Sequence, residues 1–95
     1  MAIAIIVEIP GGTQEQYDRV NEAMGLKGAV ENPPGQIIHF AGPTDDGWIV
    51  IDVWESREAY ESHLVERGEK ARKAVREADL SPYTHREFEI YNLVR

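Results

Sequence analysis

Cysteine is absent from this sequence of 95 residues. Disulfide bridges, thiolate catalysis and metal sites with cysteine ligands are therefore excluded. The absence of disulfides fits the reducing cytoplasm, which is the compartment that we expect for this protein. The histidines, His39, His63 and His85, are far apart and do not have the spacing of a metal-binding motif. The sequence therefore predicts no metal ion.

Basic residues are also few, since ten Lys and Arg stand against seventeen Asp and Glu and give a formal net charge of -7. An acidic chain repels the phosphate backbone of nucleic acids, so we expect no nucleic-acid partner. No apolar run approaches the ~20 residues that a membrane-spanning helix needs, so we expect no membrane partner. Residues 2–9 are apolar but lack the basic flank of a signal peptide, and they are interpreted as a strand.

The chain has enough apolar residues for a folded domain, with 42% of hydrophobic type. Its length predicts one domain spanning residues 1–95. A domain of this size buries only about two-thirds of the surface of its unfolded chain, so its reserve of stability is small. A partner subunit would add to that reserve.

Turn formers and apolar periodicity divide the chain into four strands and two helices. The predicted strands are 2–9, 36–41, 48–54 and 84–94, and the predicted helices are 13–24 and 56–78. Residues 42–47 are rich in turn formers and predict a hairpin between the second and third strands. Residues 26–34 are predicted to be irregular and residues 80–83 to form a turn. Gly68 is a candidate break or kink in the second helix.

The element order predicts an α+β, ferredoxin-like βαββαβ fold. Right-handed crossovers convert this order into a four-stranded antiparallel sheet with both helices on one face. The first three strands carry apolar residues on both faces, so the face without helices needs another cover. A second copy of the same sheet is the simplest cover, and we predict a homodimer in which the two sheets pack face to face.

Two polar residues lie within the apolar strands and are the candidate catalytic residues. His39 is a candidate general base because imidazole titrates near neutral pH; the alternative is a histidine hydrogen-bonded in the core or at the dimer interface. Asp52 is costly to bury unless it is paired. It would orient a histidine, bind substrate, pair with Arg86 across the dimer, or reach water. The hairpin loop does not fix the strand register, so the two residues are not assigned to a common face.

The candidate substrate-binding residues are mostly aromatic. Trp54, and to a lesser extent Trp48, would form flat walls for an aromatic ligand. The Asn92 amide would orient a carbonyl or phenol oxygen. Tyr60 and Tyr17 lie on helix stripes that would roof a cavity over the sheet, and His63 lies nearby. Core packing is the alternative for the tryptophans and the favoured interpretation for both tyrosines, and surface exposure is expected for His63.

Three segments resemble the dimeric α/β-barrel superfamily, which includes the antibiotic-biosynthesis monooxygenase domains. They are HFAGPTDDGWIVIDVWES, SREAYESHL and FEIYNLV. More narrowly, the chain is similar to a subgroup of small uncharacterised proteins with the same hairpin. The Asn, Trp and His set of the haem-degrading members has no convincing match, and no cofactor is expected.

The resemblance implies a monooxygenase-like enzyme that needs no cofactor and acts on a small aromatic or polyketide-type substrate. In such an enzyme His39 would remove an acidic proton, Trp54 would hold the ring, and Asp52 or Asn92 would polarise an oxygen. The alternative is a non-catalytic dimer, either a small-molecule-binding module or a stress-related accessory protein.

Overall fold

The predicted element order is confirmed by a computed structural model, which describes residues 1–26, 32–78 and 82–94. The elements are β1 (Ile3–Pro10), α1 (Gln14–Ala23), β2 (Gln36–Thr44), β3 (Gly47–Trp54), α2 (Arg57–Glu77) and β4 (Thr84–Glu89). The predicted irregular stretch at 26–34 and the predicted turn at 80–83 lie partly outside the described residues. Within the described ranges, neither helix has the length and apolar character needed to cross a membrane.

Both helices begin at the residues that the sequence marks as caps. Thr13 forms a capping box with Gln16, whose backbone N–H donates to the Thr13 hydroxyl over 3.2 Å. The Ser56 hydroxyl accepts from the backbone N–H of Ala59 over 3.1 Å. These bonds satisfy N–H groups that have no partner within the helix. The predicted break at Gly68 is wrong, because α2 runs through this residue without interruption.

The sheet has the strand order β2-β3-β1-β4 with antiparallel neighbours, as the ferredoxin-like fold requires. The Tyr17 ring of α1 packs against Trp48, and the Tyr60 ring of α2 packs against Trp54. Since Trp48 and Trp54 lie on the same face of β3, both helices cover one face of the sheet. The core beneath them contains Ile3, Ile5 and Trp54, with Val7, Ala59 and Tyr60 packed around it.

The hairpin is tighter than the sequence predicts. β2 continues to Thr44 and β3 begins at Gly47, so the turn consists of Asp45 and Asp46. Pro43 is accommodated in β2 because β2 is an edge strand, where the missing N–H of proline costs little. A β-bulge lies between Gln36 and Ile38 at the other end of the hairpin.

The last strand is shorter than predicted, ending at Glu89 instead of residue 94. Glu89 pairs with Ile3, the first residue of β1, so the neighbouring strand ends at the same level. One further bond joins the Ile90 N–H to the Ala2 carbonyl over 2.8 Å. Residues 91–94 continue beyond the sheet.

The face of the sheet opposite the helices is apolar and open in the single chain. Phe40, Ile51 and Ile6 lie in one row across β2, β3 and β1, and Phe88 of β4 lies opposite Ala4. Phe40 and Phe88 are each 53% exposed. This face therefore presents large apolar side chains to solvent, as the sequence predicts for a surface that needs a partner.

Candidate functional site

The register of the hairpin places His39 directly opposite Asp52 on neighbouring strands. Asp52 is also opposite Ile5 and lies two residues before Trp54. Side chains two residues apart on a strand share a face, so His39 and Asp52 both lie on the helix-covered side. The structure thus settles the question that the loop sequence leaves open.

A third residue completes the arrangement from the helix above. The His39 Nδ1 atom lies 2.5 Å from the Asp52 Oδ1 atom, and the His39 Nε2 atom lies 2.6 Å from the Tyr17 hydroxyl oxygen. A carboxylate only accepts hydrogen bonds, so Nδ1 must carry a proton and donate it to Asp52. In the neutral ring, Nε2 therefore accepts a hydrogen bond from the Tyr17 hydroxyl. We refer to Tyr17, His39 and Asp52 as the triad.

The triad is not sealed in the core. The His39 side chain is 36% exposed and the Asp52 side chain is 24% exposed. Asp52 and Arg86, which were suggested to pair across the dimer, do not share a face of the sheet. Arg86 lies opposite Ile6 on the other face of the sheet, whereas Asp52 faces the helices. The two strand residues are thus held on the helix side yet remain accessible from outside.

Asp52 changes the acid–base behaviour of His39. The hydrogen bond from His39 to Asp52 raises the pKa of His39 above its usual value of 6.5. The negative charge of the carboxylate acts in the same direction, whereas partial burial of the ring acts against both. Because its pKa is raised, the neutral imidazole binds a proton more tightly than that of an isolated histidine.

A cluster of aromatic rings adjoins the triad along β3. The Trp54 ring lies 5.8 Å from the Tyr60 ring and 4.9 Å from the His63 ring, measured between centroids. His63 is partly buried in this cluster and partly exposed in the neighbouring surface cleft, so its expected surface exposure holds only in part. Burial raises the pKa of Tyr60 and lowers the pKa of His63. At neutral pH Tyr60 therefore keeps its hydroxyl proton and His63 is uncharged.

The indole N–H groups of both tryptophans are buried. Trp48 and Trp54 are almost fully buried, and neither Nε1 atom has a hydrogen-bond acceptor among the residues that the structure describes. An unpaired buried donor costs about 1–3 kcal/mol, so such a group needs an explanation. A water molecule or a ligand oxygen at each position would remove this cost.

A surface cleft of about 280 Å³ opens beside the aromatic cluster. It lies between residues 33–35 and one side of α2, and His63 forms part of its wall. Glu66 and Arg67 line the same cleft, so its rim is charged. Because His63 packs on Trp54, this cleft leads toward the aromatic cluster from outside.

The structure brings four of the five predicted site residues into two contacting groups. His39 contacts Asp52, and Trp54 contacts Tyr60. Asn92 is exposed beyond the end of β4 and lies outside both groups. Tyr17 was predicted to pack in the core, and its bond to His39 was missed. Its position on the inward stripe of α1, which crosses over to β2, is the only sequence signal for this contact.

The fold recurs in solved structures at low sequence identity. SnoaB, a cofactor-independent oxygenase from Streptomyces nogalater, matches with a TM-score of 0.67 and 20% identity, covering 98% of this chain and 95% of its own. A monooxygenase from the gene ActVA-Orf6 of Streptomyces coelicolor, solved with nanaomycin D, matches with a TM-score of 0.68 and 19% identity. That match covers 99% of this chain and 90% of the monooxygenase.

A third similar structure is a dimeric ferredoxin-like protein of unknown function from Thermobifida fusca. It matches with a TM-score of 0.66 and 15% identity, covering 95% of this chain and 92% of its own. No protein-family model matches the chain, and the search of curated proteins finds no significant relative. These likenesses show a ferredoxin-like fold shared with proteins of the antibiotic biosynthesis monooxygenase type.

Proposed function

We propose that this protein is a cofactor-independent oxygenase that removes an acidic proton from a small aromatic, polyketide-type substrate. The observation that carries the proposal is the triad, in which a histidine with a raised pKa is oriented by a carboxylate on the helix-covered face. Such a pair is a general base. The fold is shared with two oxygenases, and this likeness supports the proposal.

The reaction balances with oxygen as the only co-substrate. Loss of a proton from an activated CH₂ group leaves a carbanion, which reduces molecular oxygen and forms a C–O bond. The resulting peroxide anion takes the proton back from His39, and the hydroperoxide then loses water. The CH₂ group becomes a carbonyl, while one oxygen atom enters the product and the other leaves as water.

The aromatic cluster provides the groups that would bind the ring. Trp54 is almost fully buried and supports the ring of Tyr60, whose hydroxyl remains protonated and would donate to a substrate oxygen. The Trp54 N–H, which has no acceptor among the described residues, is buried in the same cluster. Asn92 is left out of this arrangement because it is exposed beyond β4.

The test is oxygen consumption with a panel of anthrones, quinols and flavonoid-like phenols, in buffer without flavin, haem or added metal. We expect one equivalent of oxygen to be consumed per substrate, above the rate of autoxidation and without release of hydrogen peroxide. Denatured protein provides the control for autoxidation. If the folded protein consumes oxygen no faster than this control with any substrate of the panel, the proposal is contradicted.

The second candidate function is ligand binding without turnover. The observation that favours it is that both ring nitrogens of His39 are already hydrogen-bonded, as in a purely structural role. Saturable quenching of tryptophan fluorescence by members of the same panel, without oxygen consumption, would identify a binding module.

We further propose that two copies pack through the open apolar faces of their sheets. A stable interface needs roughly 1,000 Å² or more of buried surface. Phe40 and Phe88, each 53% exposed on this face, would contribute apolar area to it. The similar protein from Thermobifida fusca is dimeric, which supports the proposal. Covering this face would also add apolar burial to a small domain.

Replacing Phe40 with aspartate is expected to abolish the dimer, because it places a charge within the buried interface. Light scattering after gel filtration should change from twice the chain mass of 10.8 kDa to one chain mass. The matched control is Val65→Asp, since Val65 is 88% exposed on α2, away from the sheet. If Phe40→Asp stays dimeric, the sheet face is not the interface.

A further inference from the structure

His39 has no free nitrogen with which to take a proton from a substrate. Nδ1 is committed to Asp52 and Nε2 to the Tyr17 hydroxyl, over 2.5 and 2.6 Å. A substrate proton would reach the imidazole only if one of these bonds broke first. The Tyr17 hydroxyl stands at one end of this hydrogen-bond chain, and its oxygen keeps a lone pair after donating to His39.

We propose that Tyr17 is the catalytic residue that accepts the substrate proton, and that His39 and Asp52 act through it. This inference rests on the proposed function. In this arrangement His39 does not take the proton directly from the substrate. It accepts the proton that the Tyr17 hydroxyl gives up. His39 and Asp52 are then positioning residues in the sense that they meet the substrate only through Tyr17.

Two protons move along the triad in this step. As the substrate C–H bond breaks, its proton moves to the Tyr17 oxygen and the original hydroxyl proton moves to Nε2 of His39. The imidazole becomes an imidazolium that donates to both Tyr17 and Asp52. The carbanion remains on the substrate and is then consumed by molecular oxygen. No charged tyrosine needs to accumulate, because one proton arrives as the other leaves.

The local structure holds Tyr17 in the required place. The capping box of Thr13 and Gln16 fixes the first turn of α1, and the Tyr17 N–H donates to the Thr13 carbonyl over 3.1 Å. The Tyr17 ring packs on Trp48 with centroids 5.4 Å apart. The Trp48 N–H, which has no acceptor among the described residues, lies in the ring that borders Tyr17. The Trp48 ring therefore supports Tyr17 as an aromatic wall.

The experiment compares Tyr17→Phe, His39→Ala and the wild type in two assays. Anaerobic exchange of the substrate C–H with D₂O measures proton removal without oxygen, and oxygen consumption measures the complete reaction. We expect Tyr17→Phe to lower both rates about 10²-fold or more, with substrate still bound. Tyr83→Phe is the matched control, because it removes a hydroxyl from a tyrosine that lies outside the triad.

A purely structural role for Tyr17 would give a different pattern. Oxygen consumption and exchange would then stay near wild-type rates in Tyr17→Phe and fall only in His39→Ala, which would overturn the inference while leaving the proposed function intact. Absence of both exchange and oxygen consumption in the wild type would overturn both. As a readout independent of turnover, ¹⁵N NMR should show that His39 Nε2 loses its hydrogen bond in Tyr17→Phe and that Nδ1 keeps its proton.

Discussion

Replacing His39 with alanine is expected to lower oxygen consumption about 10²–10⁴-fold, the range usual for the loss of a general base. The variant should remain folded and bind substrate, since His39 is an edge-strand residue whose side chain is 36% exposed. The loss should therefore appear in kcat and leave KM nearly unchanged. Steady-state oxygen uptake, together with circular dichroism and gel filtration, measures all three properties.

The matched control for this variant is His85→Ala. His85 also lies on a strand and near a carboxylate, with 3.6 Å between its Nε2 atom and Glu87, but it belongs to β4 at the other edge of the sheet. Its removal should leave turnover unchanged. Equal losses in both variants would indicate a general effect on stability, and full activity of His39→Ala would remove the triad from the mechanism.

The Asp52→Asn variant tests the same base through its pH dependence. Turnover should rise with pH through the pKa of His39, because the neutral imidazole is the active form. Asparagine cannot supply the negative charge that helps to raise this pKa, so the rise should move to lower pH. The contribution of the His39–Asp52 pair to stability changes with pH in the opposite direction from turnover. A raised pKa in the folded state stabilises the fold below the unfolded value near 6.5, and this contribution disappears as pH increases through the folded value.

Stability measurements should therefore show a larger cost of Asp52→Asn at pH 6 than at pH 9. The difference should amount to about 1 kcal/mol or less, since the pair is partly exposed and screened by solvent. Urea unfolding of the variant and wild type at the two pH values measures it. An equal cost at both would mean that Asp52 does not raise the pKa of His39.

The sequence was enough to predict the fold because its local signals agree. Thr13 and Ser56 mark the helix starts, and the apolar faces of β1 and β3 imply a covered sheet. The site was less predictable because it depends on a register. Whether His39 meets Asp52 is decided by a two-residue turn and a bulge near Ile38, and a slip of one residue would separate them.

The contact of Tyr17 with His39 and the end of β4 also could not be predicted from local sequence. The contact of Tyr17 with His39 joins residues 22 positions apart and depends on how α1 lies over β2, which no local pattern encodes. The end of β4 is set by the start of its neighbour β1, so apolar residues after Glu89 carried the strand prediction too far. Contacts with distant parts of the chain, more than the intrinsic propensity of the local residues, determine both features.

Replacing Gly47 with alanine is expected to destabilise the fold by about 2–3 kcal/mol, which corresponds to a fall in Tm on the order of 10–20 °C. A Cβ atom at Gly47 would overlap the backbone oxygen of Ile9 and would lie 2.7 Å from the Gly11 nitrogen. These are backbone atoms, which do not move aside as a side-chain end does. The hairpin would have to separate from β1, where the Gly11 N–H donates to the Asp46 carbonyl over 2.7 Å.

The matched control is Gly42→Ala in the same hairpin. A Cβ atom at Gly42 has no atom within 4 Å in the single chain, so this variant should be within about 1 kcal/mol of the wild type. Thermal unfolding of both variants measures the contrast. Because Gly47 lies at the start of the strand that holds Asp52, displacement of the hairpin should also weaken the His39–Asp52 bond, and NMR titration should show a lower pKa for His39 in Gly47→Ala. If Gly47→Ala is as stable as Gly42→Ala, the close contact between this hairpin and β1 does not hold the two halves of the triad in register.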